Sequence, residues 1–438
     1  LFCRGGKTIR SFLSFEDVTK SFPDRDRLER ARRGFELARD RNELLKNLPE
    51  WRMNLKDAWP GAAFELRLDT DGLTLDVNNA VISDLSPLAG IPLTSLSCWG
   101  NRITDLEPLR GMPLVNLNCA ANPIRSLAPL RDLPLLSLRC EHCEITTLEP
   151  LRETKLTVLN CAENRLKDEL EPLRGVPLTW LACMKTGIKG LAPVRGMPLE
   201  RLFCDANEIA DLEPLRGLPL IEIACRGNRI ECLDPLRGIP LNTIRCDSNR
   251  IRSLEPLRGM PLSTFSCADN LVESLDPLRE MQLACLICGS NQYHDIGPFI
   301  KNPPKSFLFD SHSVSVRELE FVHGAWSRDF RYADALRAVE VLLAVRRSDG
   351  PKLRSLSKEF QGHRYLFIPK FASWTEAEAL ARSWGAHLVT ILSPEENEFV
   401  ASLFPFGGSW FWIGLNVTDK GYEWVTGEPF TYHSFPVL

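Results

Sequence analysis

Ten cysteines stand in one column of this 438-residue chain: Cys98, Cys119, Cys140, Cys161, Cys183, Cys204, Cys225, Cys246, Cys267 and Cys288. The interval is 21 residues at every step but one; between Cys161 and Cys183 it is 22. A fixed period in this range marks a solenoid, whose repeats bury their apolar faces by stacking on one another. Fourteen cysteines in all would otherwise point to disulfides or metal sites, and the spacing argues for a repeat instead.

The other columns keep the same phase. Two residues before each cysteine stands Leu, Ile or Phe, as in Leu96, Ile223 and Phe265. Three residues after it stands Asn101, Asn122, Asn164, Asn207, Asn228, Asn249, Asn270 or Asn291, with Cys143 and Thr186 as the exceptions. Two further on comes Ile103, Leu166 or Val272 and their equivalents, and Tyr293 closes the column. Leucine and cysteine alternate with polar residues, so they share the inward face of a short strand. Pro108 and its equivalents suit the start of a helical turn, and Gly111 and its equivalents permit the turn back.

The unit L-x-x-L-x-C-x-x-N-x-I-x-x-L-x-P-L-x-G-x-P resembles the leucine-rich repeat, in a short, bacterial-looking form. An eleventh, leading coil is visible at Leu75, Val77 and Ile82. The resemblance implies an α/β solenoid over residues 66–300, with a parallel β-sheet and short helical or irregular convex arcs. It also implies that each asparagine bonds backbone groups coil upon coil. The extra residue in one coil falls among Lys167, Asp168 and Glu169 and is expected to bulge outward on the arc.

Two C-x-x-C pairs exist, Cys140–Cys143 and Cys285–Cys288. They lie seven coils apart, roughly 34 Å at the spacing of neighbouring strands, too far to share a metal. The column cysteines read as small buried hydrophobes, and so many unpaired thiols fit a reducing, cytoplasmic location. No metal and no cofactor are expected. Seven coils carry an acid three residues before an arginine, as in Glu107 and Arg110 or Glu255 and Arg258. Carboxylates interleaved to relieve stacked arginines explain this; a charged docking ridge is the alternative reading.

Residues 1–65 read as a helical flank. A helix is expected over 24–47, with Asp24 as cap and Leu28, Ala31, Phe35 and Ala38 as its apolar stripe. It either covers the open first coil or ends an upstream domain. Residues 301–361 read as a helical linker with a helix at Ala333–Val345, which caps the far end or packs on the next domain; His312 and His323 lie here without a triad or ligand set. From 362 to 438 the run Trp374, Ala377, Gly385, His387, Leu388, Ser393, Glu396 and Phe399 is followed by Trp412, Ile413, Gly414 and Leu415, then Trp424, Gly427 and Tyr432. This resembles the first half of a C-type-lectin-like domain, an α+β fold. Ala381 stands where the family has its first-helix cysteine, so the disulfides implied by the family are missing. The chain stops at Leu438, before the family's calcium-binding loop, and Glu428–Pro429 is not its sugar-reading motif. A start at Leu1 and a stop inside this domain are expected of a fragment.

A net charge of -4 gives no basic footprint for nucleic acid or a membrane surface, and no apolar run reaches the ~20 residues of a span. Phosphate loops, H-E-x-x-H and G-x-S-x-G are absent, and Asp329–Phe330–Arg331 lacks the companions of a kinase motif. The expected function is therefore non-catalytic binding, by a monomer, of a protein or peptide on the concave face. Most coils expose small or polar residues there, such as Ser95, Asn116, Asn118, Ser137, Asn160 and Ala162. Coils five to eight instead place Trp180, Met184, Arg201, Phe203, Arg226 and Arg245 there, types that dominate interface energetics. The expected partner faces these arginines with acidic groups; mutual packing of the side chains is the competing reading. A regulatory segment of a larger bacterial signalling enzyme, such as a serine/threonine kinase, is one alternative function. Carbohydrate binding is another, without a supporting motif.

Overall fold

The computed structural model describes residues 2–4, 41–166, 170–299, 304, 306–308, 316–327, 333–368, 374–403, 410–412, 415–418 and 421–426. The expected helix over 24–40, the bulge at 167–169, His312, the 329–331 triplet, Ile413, Gly414 and residues 427–432 lie outside them. The chain divides into two compact units, one of residues Asp24–Leu262, the other of Leu1–Pro23 with Ser263–Leu438.

In the first unit the repeat becomes a ladder of short parallel strands. Gly72–Asp76 pairs with Leu93–Ser97, and each later strand, from Asn116–Asn118 to Thr243–Arg245, adds beside the one before. The register holds leucine against leucine through the long coil, where Leu159 faces Leu181. Each strand leads to a three-residue 3-10 turn with proline in its first positions, as in Glu107–Leu109. The chain then returns through a left-handed Gly111 at φ 74°. Cys98 to Cys246 in this column are fully buried.

Ahead of the ladder, Glu65–Asp69 forms an antiparallel hairpin with Gly72–Asp76. Helix α1, Arg41–Ala58, then covers the first coil. Leu44, Leu48, Leu55 and Trp59 are buried, Arg52 donates twice to Leu66 O, and Trp59 Nε1 donates to Asp84 O at 3.0 Å. The helix is a cap. It also runs past the expected end at residue 47, because burial of Leu48 and Leu55 carries it through Pro49.

In the second unit, Thr264–Ser266, Cys285–Ile287 and Ser306–Leu308 are parallel neighbours. The last of them extends the pairing beyond the expected boundary at 300 without the cysteine and asparagine signature. Helices α2 (Val316–Trp326), α3 (Ala333–Arg346) and α4 (Gly350–Leu356) follow. Helix α3 packs on the Ser306–Leu308 strand. Its Val341 and Ala344, with Leu353 of α4, also form a core against Leu366, Ile368 and Trp384. Both expected roles of this helix thus occur within one unit. Beyond it stand helices α5, Trp374–Ser383, and α6, Pro394–Ser402. Ser393 caps α6 by accepting from Glu396 N at 3.1 Å, and Tyr365 donates to Glu396. Phe399 stacks on Phe360 with centroids 4.6 Å apart. The Ser393, Glu396 and Phe399 pattern therefore caps and packs α6.

Candidate functional site

Each ladder asparagine hangs between two coils. Asn122 Nδ2 donates to Cys98 O at 2.9 Å and Cys119 O at 3.1 Å, while its Oδ1 accepts from Ile103 N at 3.0 Å. Asn164, Asn228 and Asn249 repeat the arrangement. These residues, like the cysteines, hold the scaffold and face away from any ligand.

Cys143 stands where an asparagine belongs, and its Sγ reaches only to 3.5 Å from Cys119 O. Ile124 N turns back to Asn122 O, without a ladder amide to donate to. Cys143→Asn is expected to supply the missing donors and acceptor and to stabilise the chain by about 1 kcal/mol, the net value of a typical hydrogen bond. The urea midpoint should rise accordingly; a fall would mean that the coil has repacked around sulfur.

The outward side chains of the first unit make the candidate face. Trp180 and Phe203 lie on adjacent strands with ring centroids 5.4 Å apart and planes at 43°. Trp180 is only 5% exposed, which corrects the expectation of an open indole. Packing of the two rings on each other, over a face lined by buried Ala162, Ala182 and Ala224, is what shields it. Phe203 and Met184 are half-buried.

The arginines are also less free than expected. Arg226 Nη2 meets Asp205 Oδ2 at 2.9 Å, and Asp205 Oδ1 accepts from Arg226 N at 2.7 Å. Burial opposes the charge on Arg226, but the Asp205 carboxylate outweighs it and holds the guanidinium above its ordinary value. Arg245 donates to Glu222 at 2.6 Å, and Arg201 Nε lies 3.9 Å from the same carboxylate. Arg139 and Glu141 pair at 2.6 Å. At the edge, Glu163 takes His142 at 3.0 Å and Lys185 at 2.8 Å. Apart from Arg139 and Glu141, which share a coil, the partners lie one coil away, so setting the outward columns side by side would have revealed them. An acidic partner facing unpaired arginines is therefore not what this face calls for.

On the arc, the acid and arginine of each of the seven coils pair within the coil, as Glu149 with Arg152 and Glu255 with Arg258. The arginine holds the Glu149 carboxyl below its usual range by hydrogen bonding. Such exposed pairs contribute little to stability. Among the described residues no group of three or more His, Cys, Asp or Glu is arranged to hold a metal, and no helix is long and apolar enough to cross a membrane.

Comparison with known proteins agrees with this architecture. The family model described as the Lectin C-type domain matches residues 370–436. The C-type mannose receptor 2 of Rattus norvegicus is 38% identical over 99 residues, covering 19% of this chain and 6% of the receptor. The C-type lectin domain family 4 member F of Rattus norvegicus is 36% identical over 75 residues, covering 17% of this chain and 14% of that protein. The chain thus spans only a small part of the length of either relative. Among solved structures, an internalin of Listeria monocytogenes superposes with a TM-score of 0.52 at 25% identity, covering 57% of this chain and 77% of that one. The chain is a leucine-rich-repeat solenoid that carries a C-type lectin domain at its C-terminal end.

Proposed function

We propose that this chain is a non-catalytic binding protein, and that its repeats capture a polypeptide partner on the sheet face around Trp180, Met184, Arg201, Phe203, Arg226 and Arg245. The observation that carries the reading is the Trp180–Phe203 pair, two large rings in contact on a face otherwise built largely from small and polar side chains. Aromatic anchors ringed by polar groups are the usual energetic centre of an interface. The paired charges around them set register and exclude mismatched partners. The face acts as a scaffold surface, with no chemistry performed on the partner. A reducing, cytoplasmic setting belongs to the same reading and is supported by column thiols that remain unbridged.

The test is capture by the full chain of its partner from the source cell, comparing Phe203→Ala and Trp180→Ala with Ser95→Ala. Loss of Phe203 is expected to weaken capture by about 2 kcal/mol, roughly thirtyfold, as for a hot spot. Trp180→Ala, being buried, is read only after circular dichroism shows the fold intact. Equal capture by all three variants would remove this face from consideration and leave the arc or the lectin domain as the binding surface.

A further inference from the structure

The sheet face holds polar groups whose hydrogen bonds go nowhere. Trp180 Nε1, Arg201 Nε and Glu141 Oε2 are buried and have no hydrogen-bond partner among the described residues. The 3.9 Å from Arg201 Nε to Glu222 is an ion-pair distance, too long for a hydrogen bond. Two further side chains on the same face leave donors without a protein partner, with those atoms still open to water. Asn160 is 9% exposed; its Oδ1 accepts from Ala162 N at 3.2 Å, and its amide NH2 finds no partner among the described residues. Ser137 is 7% exposed, and its hydroxyl is likewise unpartnered.

Strand pairing puts these groups together. Ser137, Val158, Trp180 and Arg201 are successive neighbours in one row, and Arg139, Asn160, Ala182 and Phe203 in the next. All eight belong to outward positions of their strands, so the unpartnered groups face the same side of the sheet. Buried polar groups are nearly always satisfied, and each orphan costs about 1–3 kcal/mol. Three such orphans, with the open donors of Asn160 and Ser137 beside them on one face, mark a recognition surface.

Resting on the reading of this face as the binding surface, we infer that the patch from Ser137 through Asn160 and Trp180 to Arg201 receives the main chain of an extended, uncharged polypeptide segment. Three N–H donors and a hydroxyl there meet one carboxylate acceptor. An extended main chain supplies the complement, carbonyl oxygens in a regular row with N–H groups between them. The nearby guanidiniums of Arg226 and Arg245 already have carboxylates, and Arg201 lies within ion-pair distance of Glu222, so an acidic side chain finds no unopposed positive charge.

The test selects peptides of about a dozen residues, long enough to cross four strands at their spacing, from a random display library on the full chain. The selected peptides should show no enrichment in Asp or Glu. Their affinity should change less than about threefold between roughly 0.05 and 0.5 M salt, since no screened charge pair carries it. Asn160→Asp keeps the acceptor for Ala162 N and loses the NH2 donors; it should weaken binding about tenfold, as should Ser137→Ala, the size of one buried hydrogen bond. An ester in place of a contacting peptide bond should weaken it further. Acidic, salt-sensitive peptides that still depend on Phe203 would overturn this inference and leave the binding face standing. Peptides indifferent to Phe203 would remove both. Selection that yields no peptide, with a neutral oligosaccharide retained through Asn160, would assign the patch to a sugar instead.

Discussion

Raising the pH of the native protein from about 8 to about 10.5 is expected to unfold the repeats in one sharp step, through the ionisation of cysteines that the folded state keeps protonated. Burial pushes the Cys98 and Cys161 thiols up to about 12. Cys119, Cys140, Cys183, Cys204 and Cys225 are likewise held above their ordinary value, by burial first and then by neighbouring thiols or carboxylates. In the unfolded chain such thiols ionise near pH ~8.5. Below that pH both states keep their protons and the thiols contribute no pH dependence. Above it the unfolded state has lost protons that the folded state still holds, so stability falls as pH rises, until the folded thiols titrate. The slope is about 1.4 kcal/mol per pH unit for each thiol. Acting together, the column removes roughly 10 kcal/mol per unit, comparable to the whole stability of a domain. Circular dichroism and thiolate ultraviolet absorbance, followed on one sample, should change together. Cys204→Ala should shallow the transition by one thiol's share. A gradual rise of thiolate absorbance from about pH 8.5, with the dichroism unchanged, would show that the column is open to water.

The period of 21 made the strands and their inward face legible from the residues alone, because one geometry is stated ten times over, while the bonding of the asparagine ladder was implied by the resemblance to the leucine-rich repeat. What it hid were features specific to one coil or set by neighbours. Alternation told which side Trp180 occupies but not that Phe203 would lean on it. The arginines were visible one by one, while their carboxylates sit a full coil away and pair only once the sheet is stacked. The helix expected to end at residue 47 continues instead, because the apolar face of α1 runs on both sides of Pro49 against the first coil. The residue two after each cysteine is left-handed in all ten coils, yet only Gly100 and Gly227 announced it. At Ala206, Lys185 and the rest, the bonds of the ladder over-determine a backbone that the side chain alone would avoid. The unpartnered groups of the sheet face had no sequence signal at all, since Ser137 and Asn160 look like any other small polar residue of a solenoid.

Within that ladder the most damaging single change is expected at Asn207. Its Oδ1 accepts from Thr186 N at 3.0 Å, Gly187 N at 2.8 Å and Ile188 N at 3.3 Å. Its Nδ2 donates to Cys183 O at 2.9 Å and Cys204 O at 3.0 Å. The concentration follows from Thr186, which stands in the preceding coil where an asparagine belongs and spends its hydroxyl on Cys183 O. Asn207 is 9% exposed, so water does not replace what is removed. Asn207→Ala should therefore cost about 3–5 kcal/mol, several buried backbone groups being left unsatisfied at about 1–3 kcal/mol each. Asn207→Asp separates the two halves of the amide. It keeps the acceptor for the three N–H groups and turns a carboxylate oxygen toward two carbonyls that need a donor. At neutral pH it should be as destabilising as alanine. The carboxyl should titrate above its ordinary range in the folded state, so stability should recover as pH falls and the proton restores a donor. Urea midpoints of both variants between about pH 4 and 8, the range in which such a shifted carboxyl titrates, decide the matter. A loss under about 1 kcal/mol for alanine, with no pH dependence for aspartate, would mean that the coils are held by apolar stacking alone and that the asparagine column only follows the fold.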